Sequence, residues 1–315
     1  MTSSFANSSQ FTESSVLVVG SVALDSVKTP FGEFDDILGG SATYFSVAAS
    51  FFSPVKVVAV VGSDFLEDHS DIFKRHNIDT DGLEYAEGKT FRWKGEYSPD
   101  MNEAHTLDTQ LNVFETFKPQ IPASYKTSGH VFLGNIDPEL QLQVLEQIEG
   151  SPLVACDTMN FWIEGKIDAL KRILSKVRIL IINDQEVRML AQETNLVIAA
   201  HKIMAMGPQI LVVKRGEYGV LMFTGQSTFG VPAFPLEKVV DPTGAGDSFA
   251  GGFMGHLANY QHLTDDALRR AVIFGSVMAS FNVEQFSLDG LSKLTRSDID
   301  IRFKRFKDLT HFEPI

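Results

Sequence analysis

The most specific chemical signal in this chain of 315 residues is the segment Asp241-Pro242-Thr243-Gly244-Ala245-Gly246-Asp247-Ser248-Phe249. Two glycines and a carboxylate lie there at a predicted loop-to-helix junction. Gly244 and Gly246 carry no side chain, so backbone N–H groups and the positive end of the following helix can face a phosphate. Because a carboxylate repels that phosphate, Asp247 indicates work on a proton. The combination predicts phosphoryl transfer to a hydroxyl.

The same segment resembles the C-terminal signature of the ribokinase-like (PfkB) carbohydrate and nucleoside kinases, D-T-x-G-A-G-D-x-F. The resemblance implies that Asp247 deprotonates the acceptor hydroxyl. It also implies that the amides of Gly244, Ala245 and Gly246 stabilise the transferring phosphoryl group. The structural alternative is a helix N-cap aspartate after a glycine turn. The resemblance extends over residues 16 to 291, with four motifs in the family's order, which favours the kinase.

A second motif, Asn183-Asp184-Gln185-Glu186, follows a predicted strand that ends at Ile182. Ligands of open α/β sheets bind at such carboxyl ends. The motif resembles the family's N-x-x-E, which implies that Asn183 lies near the nucleotide phosphates and that Glu186 organises Mg²⁺ through water. A helix start with acidic residues is the structural alternative.

A third motif runs from Lys214 to Gly219 and looks like the family's phosphate-side loop, T-x-G-x-x-G. Gly216 and Gly219 would let the backbone approach the nucleotide. Lys214 replaces the usual threonine, and it either contacts the β or γ phosphate or points to solvent. A β-hairpin turn is the structural alternative. The implied cofactors are ATP and Mg²⁺.

The fourth motif, residues 39–49, resembles the family's G-G-x-x-x-N-x-A-x-A, which implies that Gly39 and Gly40 admit the acceptor. Tyr44 stands at the position of the family's asparagine. A phenol favours stacking on a ring and leaves fewer donors for a polyhydroxylated sugar. Asp25, five residues after Gly20, resembles the family's acceptor-binding aspartate, and a carboxylate can accept from two vicinal hydroxyls at once. Asn135 is a further candidate for this pocket.

The C-terminal part of the chain is expected to complete the nucleotide side. Ser276 lies on a predicted apolar helix, 271–281, where family members contact the adenine, and core packing is an equal explanation. The resemblance also implies a potassium site, built through mostly backbone oxygens, at Asp241, Thr243, Asn282, Gln285 and Ser287.

Buried strands and amphipathic helices must position these motifs. β-Branched runs predict buried parallel strands at 16–20, 55–62, 153–155, 177–182 and 210–213. Stretches of helical length alternate with them, at 64–76, 138–148 and 164–174. This alternation predicts an α/β fold with a three-layer, doubly wound, mostly parallel sheet.

Residues 83–117 break the alternation with short polar strands, at 90–97 and 107–114. Together with 22–34 they predict a small separate sheet. The resemblance implies that this sheet is a lid over the acceptor and a homodimer surface. An exposed β-appendage is the alternative.

Composition narrows the class of partner. The net charge of −13, from 40 acidic and 27 basic side chains, predicts no nucleic acid or membrane partner. A hydrophobic content of 44% fits one kinase domain over residues 16–315, preceded by a disordered tail at 1–15. The N-terminal segment resembles neither a signal peptide nor a membrane span, and the single Cys156 excludes an intramolecular disulfide, so we expect a cytoplasmic protein.

The sequence therefore predicts ATP-dependent phosphorylation of a hydroxyl on a small sugar or sugar-containing metabolite. The second hypothesis is a nucleoside kinase, which the aromatic residues Tyr44, Phe91 and Trp93 favour. The third is a non-catalytic nucleotide-binding regulator, against which Asp247 and Glu186 argue. A Walker-type NTPase and a dinucleotide dehydrogenase are disfavoured because their glycine motifs are missing. One cysteine and no H-E-x-x-H argue against a zinc site.

Overall fold

The structure is a computed structural model that describes residues 14–102 and 104–311. Residues 1–13 of the predicted tail lie outside the described residues. Within the described ranges, no helix is both long enough and apolar enough to cross a bilayer.

Thirteen strands are present in the described residues. They are β1 (Val16–Val19), β2 (Ala23–Thr29), β3 (Gly32–Gly39), β4 (Val55–Val61), β5 (Asp79–Tyr85), β6 (Phe91–Tyr97), β7 (Ala104–Gln110), β8 (His130–Leu133), β9 (Leu153–Cys156), β10 (Ile179–Asn183), β11 (Ile210–Lys214), β12 (Val220–Thr224) and β13 (Thr228–Val231).

Eleven α-helices connect or cover these strands in the same part of the chain. They are α1 (Ser41–Ser50), α2 (Glu67–Arg75), α3 (Pro138–Gln147), α4 (Asn160–Gly165), α5 (Ile167–Leu174), α6 (Asp184–Ala191), α7 (Leu196–Met204), α8 (Ala245–Leu257), α9 (Asp265–Asn282), α10 (Asp289–Ser292) and α11 (Arg296–Thr310). The helix predicted at 164–174 is thus broken at Lys166, whose backbone leaves the helical region.

The main sheet has nine strands in the order β13-β12-β11-β10-β9-β8-β1-β4-β5. Neighbours pair in parallel except at β11-β12-β13, which is antiparallel. Successive residues of β1 face opposite layers: Val16 and Val18 belong to one apolar cluster, Leu17 and Val19 to the other. Burial on both faces explains the continuous apolar runs. The predicted three-layer, mostly parallel α/β fold is confirmed.

The small sheet has four strands in the order β3-β2-β6-β7. Its predicted boundaries need three corrections. Residues 83–85 belong to β5 instead, because Leu83 packs into the main core and pairs with β4. β3 continues to Gly39, beyond the predicted end at 34. The strand predicted at 107–114 ends at Gln110, where a 3₁₀ helix begins at Asn112 and buries Val113.

The edges of the small sheet are β3 and β7, and every residue of β7 that the structure describes is exposed. A homodimer through this sheet stays a prediction.

Glycines allow α8 to lie against the backbones of two other helices. A methyl group at Gly251 would overlap the Phe45 carbonyl oxygen of α1, and one at Gly255 would lie 2.8 Å from the Ala49 carbonyl oxygen. On the α9 side, a methyl group at Gly275 would lie 2.8 Å from the Phe249 carbonyl oxygen. The start of α8 is therefore fixed relative to α1 and α9.

Candidate active site

Polar side chains gather at the carboxyl ends of the neighbouring parallel strands β9, β10 and β11. Asp157 follows β9, Asn183 ends β10 and Lys214 ends β11. Adjacent parallel strands end at one edge of a sheet, so these side chains share a cleft. The start of α8 contributes Asp247 to the same cleft, because Asp247 and Lys214 interact electrostatically.

The turn that precedes α8 leaves the Gly244 and Gly246 amides without a backbone partner among the described residues, whereas the Ala245 amide, predicted to face the phosphate, donates to the Pro242 carbonyl at 3.1 Å. Gly244 is the N-cap, with φ of +74° in the left-handed region, and no side chain caps this helix end in the part of the chain described. Glycine is the residue that adopts this conformation without strain. Asp241 folds back instead, and its Oδ1 accepts from the Thr243 amide at 2.9 Å. We call residues 243–246 the anion turn.

Lys214 points into the cleft and not into solvent. Its Nζ lies 3.2 Å from Asp157 Oδ2, and the side chains are only 18% and 8% exposed. A methyl group at Gly246 would lie 2.8 Å from the same Nζ, so the ammonium borders the anion turn. Burial lowers the pKa of Lys214, but Asp157, Glu186 and Asp247 outweigh it and raise the pKa, which keeps the lysine charged.

Three carboxylates of the site have pKa values raised to about 7. Burial raises the pKa of Asp247 to about 7, with Asp157 adding to the rise and Lys214 opposing it. Burial also raises the pKa of Glu186 to about 7, again with a contribution from Asp157. The pKa of Asp25 is raised to about 7 by burial, which the Gly40 amide opposes. A carboxylate near neutrality is suited to accept a proton at physiological pH.

Asn183 and Glu186 form a reciprocal cap at the start of α6. The Asn183 side chain accepts from the Glu186 amide at 2.8 Å, and Glu186 Oε2 accepts from the Asn183 amide at 2.8 Å. The structural alternative, a helix start, is therefore present in the geometry. The same cap also holds the Glu186 carboxylate at the strand end beside Asp157 and Lys214.

Asp25 sits against the two glycines at the end of β3. It is 4% exposed, the Gly40 amide donates to it, and a methyl group at Gly39 would overlap its carboxylate. Both glycines thus make room for a buried carboxylate. Its electrostatic interactions with Asp241 and Asp247 place Asp25 beside the anion turn.

The Tyr44 ring lies directly on the anion turn. A methyl group at Gly244 would overlap three of its ring carbons, and Tyr44 is only 1% exposed. Its hydroxyl is buried without a hydrogen-bond partner of ordinary geometry among the described residues. Burial raises the pKa of this phenol, Asp25 and Asp241 raise it further, and the nearby Ser287 hydroxyl opposes the rise. Stacking of Tyr44 on an acceptor ring stays a prediction.

Two other predicted residues have internal partners. Asn135 accepts from Trp162 Nε1 at 3.0 Å and donates to the Met159 sulfur at 3.1 Å. The Ser276 hydroxyl donates to the Val272 carbonyl at 2.9 Å, within its own helix α9. Their contacts with acceptor and adenine stay predictions.

The residues predicted for a potassium site are brought together, and the Gln285 amide donates to the Asn282 carbonyl at 3.4 Å while the Gln285 side chain is exposed. Asp241 Oδ2 accepts from the Ser287 amide at 3.1 Å, and Asn282 Nδ2 donates to the Thr243 carbonyl at 2.7 Å. In the described part of the chain, no group of three or more His, Cys, Asp or Glu side chains could hold a metal ion.

Sequence reasoning missed Asp157 and Tyr97. Asp157 directly follows the predicted strand at 153–155, so the strand-end rule that selected Asn183 would also have found it. Tyr97 ends β6 of the small sheet, and its hydroxyl accepts from Thr243 Oγ1 at 3.2 Å. In the loop after β6, Asn102 Oδ1 lies 3.7 Å from where a methyl group at Gly216 would be. The small sheet therefore reaches both the anion turn and the loop after β11.

The family of the chain follows from a match over most of its length. The model of the pfkB family of carbohydrate kinases matches residues 15–293. The chain belongs to the PfkB family. Two relatives of this PfkB kinase are a cytidine kinase from Thermococcus kodakarensis and a nucleoside kinase from Methanocaldococcus jannaschii. The cytidine kinase is 30% identical over 76% of this chain and 87% of its own length. The nucleoside kinase is 27% identical over 53% of this chain and 53% of its own length.

Solved structures show the same fold for this PfkB kinase. The Methanocaldococcus jannaschii nucleoside kinase, an archaeal member of the ribokinase family, superposes with a TM-score of 0.76 at 22% identity, covering 93% of this chain and 98% of its own. A putative ribokinase II from Escherichia coli superposes with a TM-score of 0.79 at 16% identity, covering 92% of this chain and 99% of its own. The ribokinase-like fold prediction is confirmed, and the protein is a kinase, a phosphotransferase acting on a sugar or a nucleoside.

Proposed function

We propose that this PfkB kinase transfers the γ-phosphoryl group of ATP to a primary hydroxyl of a nucleoside. The observation that carries the phosphotransfer is the meeting of Asp247, the Gly244 and Gly246 amides of the anion turn and the Lys214 ammonium in one cleft. A base, an anion site and a fixed positive charge are the parts that such a transfer needs.

Two observations favour a nucleoside over a free sugar as the acceptor. Tyr44 replaces the asparagine of the family motif and presents an aromatic ring, so this position lacks an amide for sugar hydroxyls. The relative named a cytidine kinase matches this chain over 87% of its own length. A sugar is the second candidate, because the buried carboxylate of Asp25 would accept from vicinal hydroxyls of a free sugar as well as from those of a ribose.

The proposed mechanism assigns one task to each group. Asp25 orients the acceptor, and Asp247 accepts the proton of its hydroxyl as the oxygen forms a bond to phosphorus. The bond from phosphorus to the leaving diphosphate oxygen breaks in the same transfer. The amides of Gly244 and Gly246 stabilise the negative charge on the phosphoryl oxygens, and Lys214 adds a fixed positive charge beside them.

The nucleotide would bind along the strand ends. Asn183, Lys214, Gly216 and Gly219 would line its phosphates, and Ser276 its adenine. The fit is supported by the ammonium next to Gly246 and by the Gly244 and Gly246 amides, which have no backbone partner among the described residues. When bound, ATP supplies the phosphoryl group and Mg²⁺ neutralises its oxygens. Glu186 would contact the ion through water, as Mg²⁺ keeps several of its waters.

An acceptor panel tests the proposed function. We expect kcat/KM for ribonucleosides to exceed that for free pentoses and hexoses by about 10²-fold, because the base ring supplies contacts that a sugar lacks. The measurement is ADP release with each acceptor at equal ATP. A higher kcat/KM for a free sugar would replace the nucleoside by the second candidate. No phosphorylation of any acceptor would favour the non-catalytic regulator.

The raised pKa values predict a steep acid limb in the pH profile. Asp25 and Asp247 both have a pKa near 7 and both act ionised, so both become protonated as pH falls below 7. We expect log kcat/KM to fall there with a slope of about two or more, since Asp25 and Asp247 take up two protons and Glu186, whose pKa is also about 7, takes up a third.

The variants Asp25→Asn and Asp68→Asn make the pH prediction specific. Asp25→Asn should lower kcat/KM and reduce the slope by about one, because one of the required ionisations is then removed. Asp68→Asn, on the exposed face of α2, should keep the steep slope. A slope of one in the parent enzyme would mean that only one of the two carboxylates must be ionised.

A further inference from the structure

Asn282 ties the anion turn to the end of α9. It is fully buried, with 0% exposure. Its Nδ2 donates to the Thr243 carbonyl at 2.7 Å, and its Oδ1 accepts from the Ser248 hydroxyl at 3.1 Å. The two partners lie on either side of Gly244, Ala245 and Gly246. One side chain thus holds both ends of the segment whose amides face the cleft.

Three of the oxygens beside the predicted cation position, the two of the Asp241 carboxylate and the Thr243 carbonyl, already have partners in the chain. Asp241 is also 0% exposed, and both of its carboxylate oxygens accept backbone N–H groups, from Thr243 and Ser287. The Thr243 carbonyl accepts from the side-chain amide of Asn282. A partially positive hydrogen therefore already lies where a cation would bind this oxygen. Buried polar groups satisfied in this way gain little from an ion. The residues present do not fit the cation that the family resemblance implies.

We infer that Asn282 holds the anion turn in place of a monovalent cation, so that phosphotransfer by this chain is independent of potassium. The inference rests on the proposed function. An ion under the turn would orient the Thr243 carbonyl by charge. The Asn282 amide orients the same carbonyl by a hydrogen bond and needs no buried ion. Asn282 is therefore a positioning residue, since it acts through the turn and not on the substrate.

The parent protein provides the first measurement. We expect equal kcat in potassium chloride and in tetramethylammonium chloride at the same ionic strength. The melting temperature without nucleotide should also be the same in both salts, because an ion that does not bind the folded state does not stabilise it. The melting comparison needs neither ATP nor acceptor, so it tests the inference even if the acceptor proposal fails.

The variant Asn282→Asp provides the second measurement. It keeps the side-chain shape and an acceptor for Ser248, but it replaces the donor to Thr243 by a carboxylate oxygen. Two buried oxygens would then face each other beside Asp241, which is costly without a cation. We expect lower kcat and a lower melting temperature in tetramethylammonium, with potassium raising both. A structural role alone would not make the loss depend on which cation is present.

Asn259→Asp is the matched control. Asn259 follows the other end of α8, where its Nδ2 donates to the Phe52 carbonyl at 3.2 Å and the Gly255 carbonyl at 3.1 Å. The same substitution there should show no preference for potassium. If Asn282→Asp does not fold in either salt, Asn282→Ala is measured in the same way, because it vacates the donor position for a cation.

Two results would overturn the inference. One is a parent enzyme whose kcat rises about tenfold or more in potassium, the size of effect expected when a cation aligns the anion turn. The other is a folded Asn282 variant whose kcat and melting temperature are the same in both salts.

Discussion

Replacing Asp247 by asparagine is expected to lower kcat by about 10² to 10⁴-fold, the contribution of a positioned general base. The amide is nearly isosteric with the carboxylate but cannot take up the proton of the acceptor hydroxyl. The KM for ATP should change little, because the amides of the anion turn and Lys214 remain. Steady-state kinetics with saturating acceptor measures both constants.

The same substitution in the first turn of α9 serves as a control for Asp247. Asp266 is exposed there, in a helix that packs against α8. Asp266→Asn should leave kcat and KM unchanged. An Asp247→Asn enzyme that turns over within about twofold of the parent would rule out the base assignment, because a base contributes far more.

Gly244→Ala is expected to lower kcat by about 10² to 10³-fold, comparable to the loss of an oxyanion-hole donor. Two effects combine at this position. The backbone has φ of +74°, and the added methyl group would overlap the Tyr44 ring. Since Tyr44 is buried, the turn itself has to move, and its amides then point away from the phosphoryl oxygens. Turnover and thermal unfolding are measured on the same preparation.

Gly150→Ala separates backbone strain from the contact with Tyr44. Gly150 has a similar φ of +82°, and nothing lies within 4 Å of an added methyl group. It should lose about 1 kcal/mol of stability to left-handed strain and keep full kcat. The double variant Gly244→Ala with Tyr44→Ala should recover part of the lost kcat. If Gly244→Ala behaves like Gly150→Ala, the packing of Tyr44 on the turn has no role in catalysis.

The site residues that sequence could predict are those whose position depends on local pattern. Asn183 and Lys214 each follow a buried strand, and Asp247 follows a glycine turn. The carboxyl ends of parallel strands meet at one edge of a sheet, so a linear pattern becomes a spatial one. Asp157 obeys the same rule and was missed only because no motif drew attention to it.

The remaining contacts depend on pairings far apart in the sequence. Tyr97 reaches Thr243 because β6 pairs with β2 and β7, and the β7 register shifts between Lys94 and Gly95. A register shift changes which side chains face the core, and no local pattern reports it. The Tyr44 ring meets Gly244 only because glycines bring α8 against α1. The break at Lys166 likewise has no signal in the apolar periodicity, which continues through it.

The glycine contacts of α8 also determine where acceptor choice can be redesigned. Because the backbones of α1 and α8 touch near Gly251 and Gly255, larger side chains there would separate the two helices. Tyr44 and the anion turn would then lose their alignment together. The small sheet lies outside this helix pair, and its own tight contact is the one between Gly39 of β3 and Asp25 of β2. Protein engineers who want a new acceptor should therefore diversify β6 and the loop after β6, keep Asp25 of β2, and leave the paired helices untouched.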